Sequence, residues 1–193
     1  QEAIYHLAAQ TAVTTSVTDP RPDFEINALG TFNVLEAARR AAPGAIVIYS
    51  STNKVYGDGP NHIRLRELET RWDYDDPRYV NGIPENFPVD QCLHSLFGAS
   101  KLAGESHVRA LCEKHLIIRT AWLYGEHGRN FPYAILNAAK SKKELRVVAD
   151  QVGSPTFTVD LAARSDAAAR MRRAAHAAIT LVKENSAWIC TTS

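Results

Sequence analysis

Three groups of residues have types and spacing that could do chemistry. The first is Leu96-Phe97-Gly98-Ala99-Ser100-Lys101-Leu102-Ala103-Gly104-Glu105, where a lysine follows an aromatic by four residues. On a helix those two side chains sit one turn apart on the same face. As an isolated pair they read most simply as a core aromatic beside a surface lysine. The second is Ser50-Ser51-Thr52, three hydroxyls at the end of an apolar run. In an open α/β sheet, ligands bind beyond the carboxyl ends of strands, which suits these hydroxyls. Bonding to the local backbone is the plainer use of Ser and Thr, and on its own it is the favoured one. The third is Asp73, Asp75 and Asp76 in a polar stretch. Their spacing lacks the glycine and terminal glutamate of a calcium loop, so a solvated acidic loop is expected and no metal is assigned. Cys92, Cys112 and Cys190 are widely spaced and form no metal pattern; free thiols in a reducing cytosol are expected.

The elements that must position these groups alternate. Ala3 to Ala8 reads as a strand. A helix from about Asp23 to Arg40 follows, with Ala28, Phe32 and Leu35 on one face, closed by Pro43-Gly44. Ala45 to Tyr49 is a short apolar run of buried-strand type. From Gly57 to about Gln91 the chain is polar and long for a loop, as binding loops and lids are. The helix carrying Lys101 extends to about His115. Leu116 to Trp122 reads as a strand, 131 to 141 as a helix, 145 to 149 as a strand, and Val159 opens an alanine-rich helix. Strand–helix alternation argues an α/β fold with a parallel sheet.

The chain has 193 residues, enough for one sizeable domain, and a formal net charge of +1. That balance implies no general attraction to nucleic acid or to anionic membrane. No apolar run approaches a membrane span, and no signal peptide is visible, so a cytoplasmic location is expected. Gln1 is followed at once by an apolar strand pattern, which suggests a fragment lacking its amino-terminal part.

With these motifs assembled, the chain resembles the extended short-chain dehydrogenase/reductase superfamily, the sugar-nucleotide epimerases, dehydratases and reductases. From about Ile4 to Ser100 it is similar to the CDP-paratose (CDP-tyvelose) 2-epimerases. The runs that carry this are His6-Leu7-Ala8-Ala9-Gln10, Asn27-Ala28-Leu29-Gly30-Thr31, Ser51-Thr52-Asn53-Lys54-Val55-Tyr56-Gly57-Asp58 and His94-Ser95-Leu96-Phe97-Gly98. From Lys101 to about Ala162 it resembles the dTDP-4-dehydrorhamnose reductases, through Arg119-Thr120-Ala121-Trp122-Leu123-Tyr124-Gly125, Gly128-Arg129-Asn130-Phe131 and Asp150-Gln151-Val152-Gly153-Ser154-Pro155-Thr156. From Arg164 onward neither pattern continues.

The resemblance implies a Rossmann-type, doubly wound parallel sheet whose amino-terminal strands and glycine-rich turn would lie upstream of Gln1. Residues 1–160 would hold the partial dinucleotide-binding domain and the start of a substrate lobe, with 161–193 an uncertain tail. It implies NAD or NADP as cofactor, a CDP- or dTDP-deoxyhexose as substrate, a role in polysaccharide biosynthesis, and assembly as a homo-oligomer; the activity expected first is that of the 2-epimerases, oxidation, keto reorientation and re-reduction at C2, and the alternative is reductase-like hydride delivery to a C4 ketone. Catalytic positions would be Thr52 for the hydroxyl that orients substrate and Lys101 for the lysine that holds the nicotinamide ribose and lowers a tyrosine's pKa. Phe97 departs from the family by standing in that tyrosine's place. A phenylalanine cannot exchange a proton, and losing a general acid/base typically costs about a hundred- to ten-thousand-fold in rate. The chain would then be a slow enzyme or a binding relic, unless Tyr56 or Tyr124 substitutes. Cofactor-side positions would be Ala8, Ala9, Gln10, Asn27, Ser50 and Lys101. Substrate-side positions would be Trp122, Asn130, Gln151 and Thr156.

Overall fold

The computed structural model describes residues 2–147 and 153–175, the last five by backbone alone. In chain order the main elements are β1 (Ala3–His6), α1 (Val13–Thr18), α2 (Pro20–Phe24), α3 (Gly30–Ala41) and β2 (Ile46–Thr52). Then come β3 (Leu65–Glu67), β4 (Trp72–Tyr74), α4 (Leu96–Leu111), β5 (His115–Thr120), β6 (Leu123–Tyr124), α5 (Phe131–Ser141), β7 (Thr156–Phe157) and α6 (Thr158–Ala175).

β2 is central in a three-stranded parallel sheet of order β1-β2-β5. Its Ile-Val-Ile-Tyr run suits a strand covered on both faces. Alternate residues divide between two layers. Ile46 and Ile48, with Leu116 and Ile118 of β5, pack against Ala168 and Ala169 of α6. Val47 and Tyr49, with Ile117, pack against Leu35 of α3 and Val108 of α4. This is a Rossmann-like α/β fold with helices on both faces of a parallel sheet. In register, Thr52 stands opposite Thr120, so the two strands end level.

Several expectations change. Ser50, Ser51 and Thr52 lie inside β2, which runs three residues past the expected end. The helix before it starts at Pro20 and contains a π-helical turn, Glu25–Leu29. That wide turn shifts the helical phase. Ala28 and Leu35 are buried as expected, but Thr31 faces inward while Phe32 is exposed and meets His107 edge-on at 5.8 Å. Leu145 to Val147 form no strand, and Val148 and Ala149 lie outside the described residues. The 57–91 stretch is no open loop. It holds the antiparallel β3–β4 pair, and its Tyr74 and Ile83 form a small core with the preceding Tyr56, with Phe87, Tyr79 and Val89 packed on it. Asp73 is buried and pairs with Arg71 at 3.0 Å, and Asp76 caps its own turn by accepting from the Arg78 N–H at 2.9 Å. The helix after Thr158 is not wholly solvated, because Ala168 and Ala169 are buried against the sheet.

Candidate functional site

The site is built where α4 crosses the carboxyl end of β2. Ser95 caps α4 by accepting from the Gly98 N–H at 3.1 Å. A Cβ on Gly98 would come within 2.5 Å of the Lys54 carbonyl oxygen, so glycine is what lets the helix start press on the turn after β2. Further along, a Cβ on Gly104 would collide with the Tyr49 ring oxygen and lie 3.0 Å from the Asn27 carbonyl. Two glycines on one helix face thus draw α4 down onto the strand.

Lys101 is 3% exposed, not the surface lysine that its spacing alone suggested. Its Nζ donates to the Ser50 carbonyl at 2.5 Å and stands 4.4 Å from the centroid of the Tyr49 ring. Burial pushes its pKa down to about 8, against the opposing pull of the Glu105 and Asp23 carboxylates. Phe97, one turn earlier, is also buried. Thr52 is buried too, but its hydroxyl accepts from the Lys54 N–H at 3.3 Å and lies 3.3 Å from Asn53 Oδ1. It is used locally, as the plainer reading had it.

A buried polar cluster joins the cofactor-side positions to α4. Asn27 Oδ1 accepts from the Gln10 N–H at 3.0 Å, and its Nδ2 lies within 3.2 Å of the Gln10 carbonyl and of Asp23 Oδ1, and 3.1 Å from Ser100 Oγ. Ser100 Oγ in turn donates to Asp23 Oδ2 at 2.5 Å. The π-helical turn carries Asn27, and turns of that kind are often found at functional sites. Ala8 is exposed and Ala9 half-buried, in the open segment beyond β1. His6 at the end of β1 is buried, with Nε2 3.0 Å from Thr31 Oγ1; burial and the nearby Lys101 charge lower its pKa.

Sequence reasoning missed the group under this cluster. Glu105 is fully buried and accepts from Ser51, Arg119 and Arg109. The available signal was a charged residue, Arg119, at the end of the apolar run from Leu116 to Ile118.

The family described as RmlD substrate binding domain matches residues 1–182, across Lys101 and past Arg164. The chain belongs to this family. A CDP-paratose 2-epimerase of Salmonella typhi is 40% identical over 134 residues, 67% of this chain and 38% of that protein. A dTDP-4-dehydrorhamnose reductase of Escherichia coli K12 is 36% identical over 155 residues, 80% of this chain and 44% of that protein. Each likeness is longer than either half of the chain, so both run across the junction near Lys101. A dTDP-4-dehydrorhamnose reductase of Bacillus anthracis, solved with NADP, superposes with a TM-score of 0.70 at 30% identity, over 97% of this chain and 58% of that one. An ortholog from Clostridium acetobutylicum gives 0.71 at 33%, over 97% and 57%. The chain therefore spans less than half the length of these curated relatives and a little over half of these solved chains. Members of the extended short-chain dehydrogenase/reductase superfamily, they set the RmlD-family chain among proteins that process sugar nucleotides.

In this RmlD-family chain, Lys101 is the residue whose chemistry suits the ribose of a nicotinamide dinucleotide. An ammonium carries three donors, and the buried Lys101 is fixed at the strand ends with the Ser50 carbonyl taking one. The pyrophosphate half has no counterpart, because the ten glycines include no Gly-x-x-Gly-x-x-Gly run.

Of the expected substrate-side positions, Trp122 and Thr156 meet. The Trp122 carbonyl accepts from the Thr156 N–H at 3.1 Å, and the Trp122 ring packs on Gly153. Trp122 is exposed and has a left-handed backbone, φ 48°. It lies two residues past Thr120, beyond the carboxyl end of β5. Thr156 is buried in β7. Asn130 is spent on capping α5: its Oδ1 accepts from the Tyr133 N–H at 3.1 Å and its Nδ2 donates to the Gly125 carbonyl at 3.0 Å. Gln151 lies outside the described residues. Of the substitute phenols, Tyr56 is buried under the Arg119 guanidinium, 4.7 Å from its ring, and burial raises its pKa; Tyr124 stacks on Phe157 at 5.3 Å. The Arg119 charge opposes that rise in Tyr56.

No helix among the described residues is long and apolar enough to cross a membrane.

Proposed function

We propose that this chain is the sheet-end portion of a nicotinamide-dependent sugar-nucleotide reductase, acting on the C4 ketone of a dTDP-deoxyhexose, with its proton donor replaced by Phe97. The carrying observation is the burial of Lys101 on the Ser50 carbonyl, one turn after a buried Phe97, at the end of the central strand. Lys101 holds the nicotinamide ribose, and Ala8, Ala9, Gln10 and Asn27 shape the cofactor side. Trp122, Asn130, Gln151 and Thr156 would make the sugar-nucleotide side, with exposed Trp122 offering the contact surface and Asn130 acting through its cap on α5. Bound NADH or NADPH would supply the hydride. Residues 1–160 would hold the cofactor-side unit, with Ala168 and Ala169 of α6 packed on the same sheet. The match to the RmlD family and the 80% coverage by the E. coli reductase favour this over the epimerase.

A second reading, oxidation and re-reduction at C2 of a CDP-sugar, draws on the 40% identity to the Salmonella epimerase. Titration calorimetry with NADPH, NADH, dTDP and CDP distinguishes them. The reductase reading expects binding of one nicotinamide nucleotide, weakened about tenfold or more by Lys101→Met through loss of a charged hydrogen bond, and preference for dTDP. A preference for CDP favours the epimerase. Absence of both cofactors' binding at millimolar concentration rejects the assignment.

A further inference from the structure

The buried carboxylate of Glu105 has no part in the reaction just described. It lies on α4 one turn after Lys101, and its two oxygens take four bonds. Oε1 accepts from Ser51 Oγ at 2.6 Å and from Arg119 Nε at 2.9 Å. Oε2 accepts from Arg119 Nη2 at 2.7 Å and from Arg109 Nη1 at 3.0 Å. Ser51 stands between Ser50, which takes the Lys101 ammonium, and Thr52. Arg119 is 8% exposed on β5, and its Nη1 reaches on to the Glu85 carbonyl at 3.3 Å.

We propose that Glu105 is a positioning residue: its carboxylate clamps α4 to the ends of β2 and β5 and thereby seats Lys101 Nζ on the Ser50 carbonyl. Lys101 and Glu105 are four residues apart, about 6 Å along the helix. They are anchored to Ser50 and Ser51, successive residues of one strand. A helix held at two heights to adjacent strand residues can neither rotate nor slide without breaking one anchor. The bidentate Arg119 bond ties the same helix turn to the neighbouring strand, which adds direction as well as strength.

The charges around the site agree. Glu105 on its own helix and Asp23 of α2 both favour the charged lysine, while burial opposes it. The His6 imidazole of β1 is held neutral by burial and by this same lysine charge. The Tyr49 phenol of β2 is raised out of the titrating range by its own burial. Burial would push the Glu105 carboxyl up, but Arg119, Ser51 and Arg109 hold it below its ordinary value, so the clamp is ionised.

The inference gives the proposed cofactor lysine its support, but its test needs no cofactor. Competitive acetylation of the chain at pH 8, read by peptide mass spectrometry, compares Lys101 with the exposed Lys140 and Lys142. In the unaltered chain Lys101 reacts slowest. Glu105→Gln raises its rate about tenfold, the loss expected when a charged hydrogen bond is released, and leaves Lys140 and Lys142 unmoved. Because Glu105→Gln leaves Arg119 buried and unpaired, Glu105→Met with Arg119→Met is the second variant, removing both charges at similar volume. It too speeds Lys101. A Lys101 rate within about twofold of the original in either variant, with circular dichroism unchanged, overturns the proposal, since that is less than one hydrogen bond's worth. A chain that binds no nicotinamide nucleotide but shows the Lys101 rate increase would retain the clamp and lose only the functional reading.

Discussion

Lys101 is an ammonium shut away from water, and that has a consequence for stability. Its folded pKa of about 8 lies below the ordinary 10.5. Between those values the unfolded chain binds the proton that the folded chain has released, so stability rises as pH rises through this window. The charge is fully unfavourable below pH 8. The difference amounts to roughly 3 kcal/mol. Denaturant unfolding at pH 7.5 and pH 10 should therefore show a gain in the original chain that is absent in Lys101→Met. Equal pH dependence in the two would mean that the lysine is not desolvated. Gly104 offers a steric counterpart. A methyl there meets the Tyr49 phenol and the Asn27 carbonyl, and overpacking of this kind costs about 1–3 kcal/mol. Gly104→Ala should lower the urea midpoint accordingly.

α4 is the element through which the site is organised, and its sequence was largely readable. The spacing of Phe97 and Lys101 placed both on one face, and the helix ends at Leu111, near the expected His115. What could not be read was depth. Helical periodicity says which residues share a face, but nothing about how far a lysine sinks. That depends on Gly98 and Gly104 admitting β2 and its following turn. The π-helical turn before α3 was hidden for a related reason, since an assumed period of 3.6 residues cannot report a local insertion. Thr31 and Phe32 exchanged roles as a result. The Glu105–Arg119 pair joins helix to strand over fourteen residues of sequence and leaves no local pattern. Its energetic signature is specific. Arg119→Ala leaves a buried carboxylate short of its main partner and should cost about 3–5 kcal/mol. Replacing both charges by Met should cost much less. Urea titration of the two variants checks the contrast.

In the whole molecule, the parallel sheet was the most legible feature, because Ala45–Tyr49 and Leu116–Ile118 are apolar runs of the doubly covered kind. The 57–91 stretch was the least legible, since its Tyr74 and Ile83, which form a small core with the preceding Tyr56, are scattered through a polar sequence. β1 pairs with β2 on one side, and no strand among the described residues takes its other side. Exposed Tyr5 and Leu7 lie at that edge. A bare apolar edge invites association between chains. The isolated 193-residue chain should be poorly soluble, and Tyr5→Lys should raise the monomer fraction in size-exclusion chromatography. A monomeric original chain with cooperative melting would contradict this. In the proposed reading Phe97 bears on the molecule as a whole, because it stands where that reading needs an acid/base. Single-turnover hydride transfer from NADPH to a dTDP-4-keto-6-deoxyhexose, comparing the original chain with Phe97→Tyr, tests this most directly. The phenol beside Lys101 should raise the rate by about a hundredfold or more. An original chain as fast as Phe97→Tyr would show that the proton comes from elsewhere, and would contradict the account of a site lacking its acid/base.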